Sequence, residues 1–110
     1  MPRTEVFFYQ ESPGNVPVRD WLDAEVLQRD RKAFRKCLAA LERLGEFGHE
    51  LRRPQADLLR DGIHELRVRS GRANYRLLYF HGRNICILAH ELAKEAQMPK
   101  RDIERALARR

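Results

Sequence analysis

Cysteine is scarce in this chain, which has two cysteines in 110 residues. Cys37 and Cys86 each lie inside an apolar pattern, and they do not form a close pair with metal-ligand or redox spacing. We therefore predict two small buried hydrophobic side chains rather than a disulfide or a metal site. This cysteine usage favours a reducing, cytoplasmic setting.

Long apolar runs are missing as well. The first ten residues contain only a short apolar run, without the longer apolar core of a signal peptide. No window reaches the length of a transmembrane helix, so we expect no membrane partner. With no repeat, low-complexity tract or linker, residues 1–110 are predicted to form a single domain.

What the chain does have is core material and positive charge. Apolar residues make up 43% of the sequence and charged residues 35%, which is typical of a globular protein. Lys and Arg number 22 against 16 Asp and Glu, giving a formal charge of +6. This excess favours a polyanionic partner, with nucleic acid first, although many small proteins are basic for solubility alone. The location of the charge must decide.

The N-terminal half shows one strand and two helices. The run Val6–Tyr9 is β-branched and aromatic, and Pro17 begins a short helical pattern that extends to about Gln28. A second helix is predicted from an apolar stripe with spacings of three and four, which comprises Ala33, Phe34, Cys37, Leu38, Leu41 and Leu44. Gly45 and Gly48 are expected to end it, and residues 49–62 to form an irregular loop.

The C-terminal half changes to an alternating pattern at Ile63. Turns at Ser70–Ala73 and His81–Asn84 divide three strands, and Pro99 begins a last helix. The predicted order is β-α-α-β-β-β-α. The fold class is therefore α+β, a small antiparallel-rich sheet with two N-terminal helices on one face and a C-terminal helix.

The strand register predicts a cationic face. A turn at Ser70–Ala73 pairs Arg67 with Arg76 and Arg69 with Asn74, and a loop at Gly82-Arg83 pairs Tyr79 with Cys86, Leu77 with Leu88 and Tyr75 with His90. One side of this sheet is then the core, with His64 and His90 on it and His81 in a turn. The other side carries Arg67, Arg69, Asn74, Arg76 and Glu91 at one end and Leu78, Phe80, Ile85 and Ile87 at the other.

Two arginines that face each other across adjacent strands repel, and something must offset that repulsion. A bound anion is one answer, because arginine presents a planar fork to phosphate oxygens. The alternative is that Glu65 and Glu91 neutralise the arginines in ordinary salt bridges.

The same stretch resembles a known family. The chain resembles the phage-derived, HigB-like branch of the RelE/ParE toxin superfamily through Leu59, Gly62, Ile63, Glu65, Leu66, Arg67, Arg72, Tyr75, Arg76 and Tyr79, and through Pro99, Ile103, Glu104 and Ala106. The resemblance implies a RelE-like fold and the toxin of a type II toxin–antitoxin system. It also implies ribosome-dependent endoribonuclease cleavage of mRNA, with a cognate antitoxin, mRNA and the ribosome as partners.

RNA cleavage by the neighbouring 2′-hydroxyl needs cations for the crowded phosphorane, a proton acceptor and a proton donor. We assign the catalytic roles to Arg67, Arg76, Lys94 and Glu91, with Lys94 or Glu91 as the acid–base group, and RNA binding to Arg69 and Arg72. Glu91 has the alternative role of a fixed partner of Arg76, and His90, Tyr75 and Tyr79 are predicted to be core residues. No metal site and no small-molecule cofactor are expected.

The apolar half of the cationic face is a candidate protein interface. Leu78, Phe80, Ile85 and Ile87 form a patch of a kind that is rarely bare on a soluble monomer. We predict that an antitoxin covers this patch, and the intramolecular alternative is the C-terminal helix, through Ile103 and Leu107.

Two other functions remain open. After its fourth strand the family usually has His-x-Phe, two lysines and a threonine, whereas this chain has His90-Glu91-Leu92 and then Lys94, Glu95 and Ala96. A degenerate toxin would be a non-catalytic nucleic-acid- or ribosome-binding module. A ParE-type member would inhibit gyrase by protein binding alone.

Overall fold

The structure is a computed structural model, and it describes residues 4–51, 55–93 and 100–110. Five strands form one sheet, in the order β1-β5-β4-β3-β2. The strands are β1 Glu5–Phe8, β2 Ala56–Arg60, β3 Ile63–Ser70, β4 Ala73–Gly82 and β5 Ile85–Ala93. β1 pairs with β5 in parallel, and the other neighbours are antiparallel. The predicted α+β class and antiparallel-rich sheet are confirmed.

The helices before β2 follow one another closely. α1 Pro17–Trp21 continues through a π-helical turn, Leu22–Val26, into α2 Leu27–Arg29. α3 Arg31–Phe47 starts at Asp30, whose Oδ1 accepts a hydrogen bond of 3.1 Å from the Ala33 amide. An N-cap of this kind satisfies one of the free amides of the first turn. The helices therefore break at Asp30, shortly after the end predicted for the first of them.

α3 ends at Gly48, the second of the two glycines that were expected to end it. Gly45 lies inside the helix, and Gly48 ends it with a φ of 51° before a short 3₁₀ turn, Gly48–Glu50. A side chain at Gly48 would be strained by that φ and would also collide with the Thr4 hydroxyl. The end of α3 is therefore set by the close approach of the residues before β1.

The main core lies between one face of the sheet and α1–α3. It is built from Val18, Leu22, Val26, Ala33, Cys37, Leu44, Ala56, Leu66, Val68, Leu77, Tyr79, Cys86 and Leu88. Both cysteines are free and fully buried, and burial raises the pKa of each thiol to about 11. The prediction of two small buried side chains is confirmed.

A smaller core lies on the opposite face, under α4 Lys100–Ala108. Ile63, Leu78 and Ala89 pack there against Ala106, with Leu59, Phe80 and Leu107 around them. The C-terminal helix therefore covers Leu78 and Phe80, as the intramolecular alternative for the apolar patch predicted. None of the described helices is long and apolar enough to cross a membrane.

β2 corrects the predicted loop over residues 49–62. Its hairpin with β3 turns at Asp61 and Gly62, whose φ values are 50° and 80°. Two successive positive φ values are typical of the type I′ turn, which favours Asp-Gly. The strand completes one edge of the sheet beside Arg67.

Three histidines that are distant in sequence meet at this edge. The rings of His49 and His81 stack with centroids 3.6 Å apart, and the His64 ring lies 4.8 Å from that of His81. His81 is therefore paired in β4 and packed at the core, not in a turn as predicted. Burial, with the neighbouring His49 and His64 rings, lowers the pKa of His81 to about 4.

This cluster makes the fold sensitive to acid. The pKa of His81 is lower in the folded protein than in the unfolded chain. The stability that neutral His81 contributes to the fold is therefore present above about pH 6.5 and is lost as pH falls towards 4. Between pH 7 and pH 5 we expect the free energy of unfolding to fall by roughly 2 kcal/mol through this group. Urea titrations at the two pH values check it, and His81→Gln should remove most of the difference. An unchanged pH dependence in that variant would contradict the assignment.

Candidate functional site

The β3–β4 hairpin brings the predicted arginines together. Arg67 pairs directly with Arg76, and Arg69 pairs with Asn74. Leu66 and Val68 are buried on the face of the sheet that α1–α3 cover, and the arginines alternate with them on the opposite face. The predicted register of this hairpin is confirmed at every pair. Arg72 lies exposed in the turn, after Gly71 with its φ of 61°.

A buried carboxylate holds the central pair. The side chain of Glu65 is 1% exposed and accepts a hydrogen bond from Nε of Arg67, while Nη1 of Arg76 lies 3.5 Å from its other oxygen. Asp57 on β2 is a second partner, with Oδ2 at 3.6 Å from Nη2 of Arg67. Glu65 therefore neutralises the arginines in salt bridges, which was the alternative to a bound anion.

The two carboxylates balance part of the positive charge of the arginines. Glu65 and Asp57 supply two negative charges against the three positive charges of Arg67, Arg69 and Arg76. The repulsion within the sheet is therefore offset from inside the protein, and an anion is not needed for the hairpin to fold. A net positive charge remains, and Arg72 adds to it. The carboxylates also fix the guanidinium groups, which lowers the entropy lost when a ligand binds.

The arginines border a cleft of about 370 Å³, lined by Gln55, Arg67, Val68, Arg69, Asn74, Tyr75 and Arg76. This volume is in the usual range for a small-ligand site. A larger hollow of about 570 Å³ lies between β1 and α3, but its charged lining residues are Glu5 and Glu42. An anionic ligand is repelled there, so the arginine cleft is the better candidate despite its smaller size.

The pairing of β4 with β5 differs from the prediction. Gly82 pairs with Ile85, so the turn is Arg83-Asn84, and Tyr79 faces Leu88 rather than Cys86. A bulge then leaves Ala89 without an opposite residue and shifts the pairing by one. A shift of one residue reverses the faces of all later side chains.

The bulge moves His90 away from its predicted position. His90 faces Leu78 instead of Tyr75, and its Nε2 lies 2.7 Å from Oδ1 of Asp102 on α4. The prediction that His90 lies on the face of the sheet that α1–α3 cover is therefore wrong. Its side chain is still largely buried, and it links β5 to the C-terminal helix.

Glu91 is moved as well. It faces Leu77, while Leu92 takes the place opposite Arg76, so the expectation that Glu91 lies on the arginine face is wrong. Burial raises the pKa of this carboxyl, and the charges of His90 and Arg109 partly counteract that rise. The register therefore does not place Glu91 beside the arginines as a general base. Lys94, the other acid–base candidate, lies outside the described residues.

The remaining assigned residues divide between the core and the edge. Tyr79 is buried, as predicted, and Tyr75 is only partly buried beside Trp21. Ile85 and Ile87 are partly exposed, and Ile87 lies next to the exposed Phe7 of β1. What the sequence reasoning missed was β2, which supplies Asp57 as a partner of Arg67. Its signal was the Asp61-Gly62 turn between short apolar runs.

Comparison with known proteins adds one match. The family model described as phage derived protein Gp49-like (DUF891) matches residues 24–110. No curated protein matches the chain.

Proposed function

The chain belongs to the phage-derived Gp49-like family, a RelE-like toxin family of toxin–antitoxin systems, and from this premise we propose that it is an mRNA endoribonuclease of the HigB-like branch. The observation that supports the proposal most strongly is the arginine cleft. It combines a net positive charge, guanidinium groups fixed by a buried carboxylate and the volume of a small ligand.

The proposed reaction is attack of a ribose 2′-oxygen on the adjacent phosphorus. The new 2′-O–P bond forms as the P–O5′ bond breaks, leaving a 2′,3′-cyclic phosphate and a 5′-hydroxyl. Arg67 and Arg76 stabilise the phosphorane, whose negative charge exceeds that of the starting diester. Arg69 and Arg72 hold the flanking phosphates. We assign to Lys94 the transfer of a proton between the 2′-hydroxyl and the leaving oxygen.

The test is to map RNA ends after brief induction in cells. The proposal predicts new 5′-hydroxyl ends within translated mRNAs, and none in the same transcripts when translation is blocked. Ribosome co-sedimentation without new ends would indicate a binding module instead. Accumulation of gyrase-linked DNA breaks would indicate a ParE-type inhibitor.

The family implies an antitoxin partner, and we propose that it binds at α4 and the strands beneath it. Leu78 is fully buried there, so an antitoxin reaches it only by displacing α4, while Phe80, Ile85 and Ile87 are partly exposed at the margin. The His90–Asp102 contact and a 2.8 Å bond from Arg109 to the Ala89 carbonyl hold the helix.

Hydrogen exchange on the free protein and on the antitoxin complex tests this interface. We expect the protection of residues 78–87 and 100–108 to change on binding, because the partner exchanges places with α4 or packs against it. Charged substitutions at Phe80 and Ile87 should weaken the complex more than they slow cleavage. Unchanged protection in both segments would place the antitoxin elsewhere.

A further inference from the structure

The beginning of α3 concentrates the positive charge of the chain. Residues 29–36 contain five basic side chains and the single carboxylate of Asp30, whereas the formal charge of the whole chain is +6. Asp30 is already engaged as the N-cap of the helix. The four basic residues that follow it are exposed, and we call them the α3 patch; they are Arg31, Lys32, Arg35 and Lys36.

This arrangement costs the helix stability. The N-terminal end of a helix carries a partial positive charge, so cations are disfavoured there, and the first turn of α3 has no acidic residue to offset them. Arg31 and Arg35 are four residues apart, as are Lys32 and Lys36, and like charges at that spacing repel on a helix surface. A polyanion bound across the four side chains would remove both penalties, because it brings negative charge to this end of the helix.

The protein itself does not supply that charge in the part of the chain that the structure describes. No carboxylate within residues 4–51, 55–93 and 100–110 forms a salt bridge with the α3 patch. The arginine cleft differs in this respect, since Glu65 and Asp57 neutralise part of it. The α3 patch is therefore the cationic surface that is most open to an external partner.

The α3 patch and the arginine cleft serve separate ligands. α3 packs on the face of the sheet that forms the main core, whereas Arg67 and Arg76 lie on the opposite face. One RNA strand therefore does not connect the two sites. Lys36 donates a 3.3 Å hydrogen bond to the Arg69 carbonyl, which holds the patch in a fixed position relative to the hairpin. A partner bound to the patch leaves the cleft free for its own ligand.

The chemistry of the α3 patch matches a phosphate backbone rather than bases. Its apolar neighbours on the helix are buried at Ala33 and Cys37, and Phe34 packs against the main core, so these residues offer no exposed ring on which a base could stack. Cationic side chains of this kind position a protein on nucleic acid without reading its sequence. Folded RNA is recognised in this way, because side chains do not reach the bases in its deep, narrow major groove.

We propose that the α3 patch docks the protein on the phosphate backbone of folded ribosomal RNA, while the arginine cleft on the opposite face receives the mRNA. The inference rests on the proposed function, because it takes the ribosome as the place where the mRNA is cut. It adds the surface by which the ribosome is held and the chemical class of the group that holds it.

Co-sedimentation with ribosomes tests the docking surface. The probe is purified ribosomes programmed with a 2′-O-methyl mRNA, which the proposed reaction cannot cleave. The test variant neutralises three positions of the α3 patch, namely Arg31→Gln, Lys32→Gln and Arg35→Gln. The control variant removes the same charge from three exposed positions elsewhere, namely Arg19→Gln, Arg43→Gln and Arg83→Gln.

We expect the test variant to bind ribosomes roughly tenfold or more weakly than the wild type, and the control variant to bind nearly as well. Each phosphate contact contributes somewhat under one unit to the slope of log affinity against log salt, so the slope of the test variant should be smaller by about two to three units. Circular dichroism establishes that both variants are folded.

Single-turnover cleavage of ordinary mRNA on ribosomes separates docking from chemistry. The test variant should need roughly tenfold more protein for half of its maximal rate, and it should reach the wild-type rate at saturation, because the α3 patch does not touch the reacting phosphate. Arg76→Ala should show the opposite split, with a normal half-saturating concentration and a lower maximal rate.

A tethered cleavage probe identifies the partner. Ala39 is exposed on α3, one turn after Arg35, and both native cysteines are buried, so Ala39→Cys provides one accessible thiol for Fe(II)-EDTA. Hydroxyl radicals from this probe should cut the ribosomal RNA nearby. The cuts should disappear when the three substitutions of the test variant are added.

The inference and the proposed function fail on different results. Equal losses of ribosome binding in the test and control variants, wild-type binding by the test variant, or a ribosome-bound probe that cuts no ribosomal RNA would each overturn the inference, and the last would indicate an acidic protein partner. None of these results removes mRNA cleavage at the cleft. Ribosome binding that depends on the α3 patch, in a wild-type protein that cuts no mRNA, would support the docking surface and contradict the endoribonuclease.

Discussion

Replacing Arg76 with alanine is expected to slow mRNA cleavage by two to three orders of magnitude while the protein stays folded. Arg76 is 17% exposed, with one side of its guanidinium against Glu65 and the other in the cleft. A fixed donor that stabilises transition-state charge contributes an effect of about 10² to 10³ in rate. The fold survives because Glu65 keeps its hydrogen bond from Arg67.

The effect should appear in the turnover rate more than in substrate affinity, because the charge on the phosphorane develops only in the transition state. Single-turnover cleavage on programmed ribosomes measures it. Arg76→Lys restores the charge without the planar fork, and we expect it to recover only a small part of the rate. Arg43→Ala is the matched control and should cleave normally. A folded Arg76→Ala protein with full activity would show that the active face lies elsewhere.

The second large effect concerns Glu65. Replacing it with alanine leaves Arg67 and Arg76 facing each other without their shared buried carboxylate. Arg67 is 43% exposed and keeps Asp57, and Arg76 is 17% exposed, so water partly solvates the charges left behind. We therefore expect the free energy of unfolding to fall by about 1–3 kcal/mol, less than for a fully buried pair. Urea or guanidinium denaturation at pH 7 measures the loss.

Glu65→Gln separates charge from packing. The amide keeps nearly the same shape but removes the negative charge that Arg67 and Arg76 share, and only Arg67 has Asp57 as a second partner. Inorganic phosphate should therefore stabilise this variant more than it stabilises the wild type. The wild type is the control for general salting-out effects. If phosphate stabilised both proteins equally, Glu65 would not be the group that balances the arginine pair.

The β3–β4 hairpin could be predicted from the sequence because two local signals agree. The alternation of apolar and charged residues from Leu66 to Arg69 fixes the faces, and a short turn fixes the register. Arg67 therefore had to face Arg76. That Glu65 would pair with both could be stated only as an alternative, since the alternation does not say which way two long guanidinium side chains extend.

The β4–β5 register failed because a bulge is not a periodic feature. Ala89 is the extra residue, and it is buried against Ala106 of α4, which lies 17 positions away in the sequence. The packing of a small residue under a helix is not a feature of strand periodicity, so His90 and Glu91 could not be placed from that periodicity. The histidine cluster was missed for a similar reason, since the 3₁₀ turn brings His49 against His81 of β4, beside His64 of β3, and no local pattern connects these residues.

The central claim is that the arginine cleft promotes attack by a 2′-hydroxyl on mRNA. The most direct measurement programmes purified ribosomes with a short mRNA, adds the protein and identifies both new ends by mass spectrometry. The account predicts a 2′,3′-cyclic phosphate and a 5′-hydroxyl, and loss of cleavage when the nucleotide before the cut carries 2′-deoxyribose. Cleavage that persists with the 2′-deoxy substrate, or intact mRNA with the wild-type protein, would contradict it.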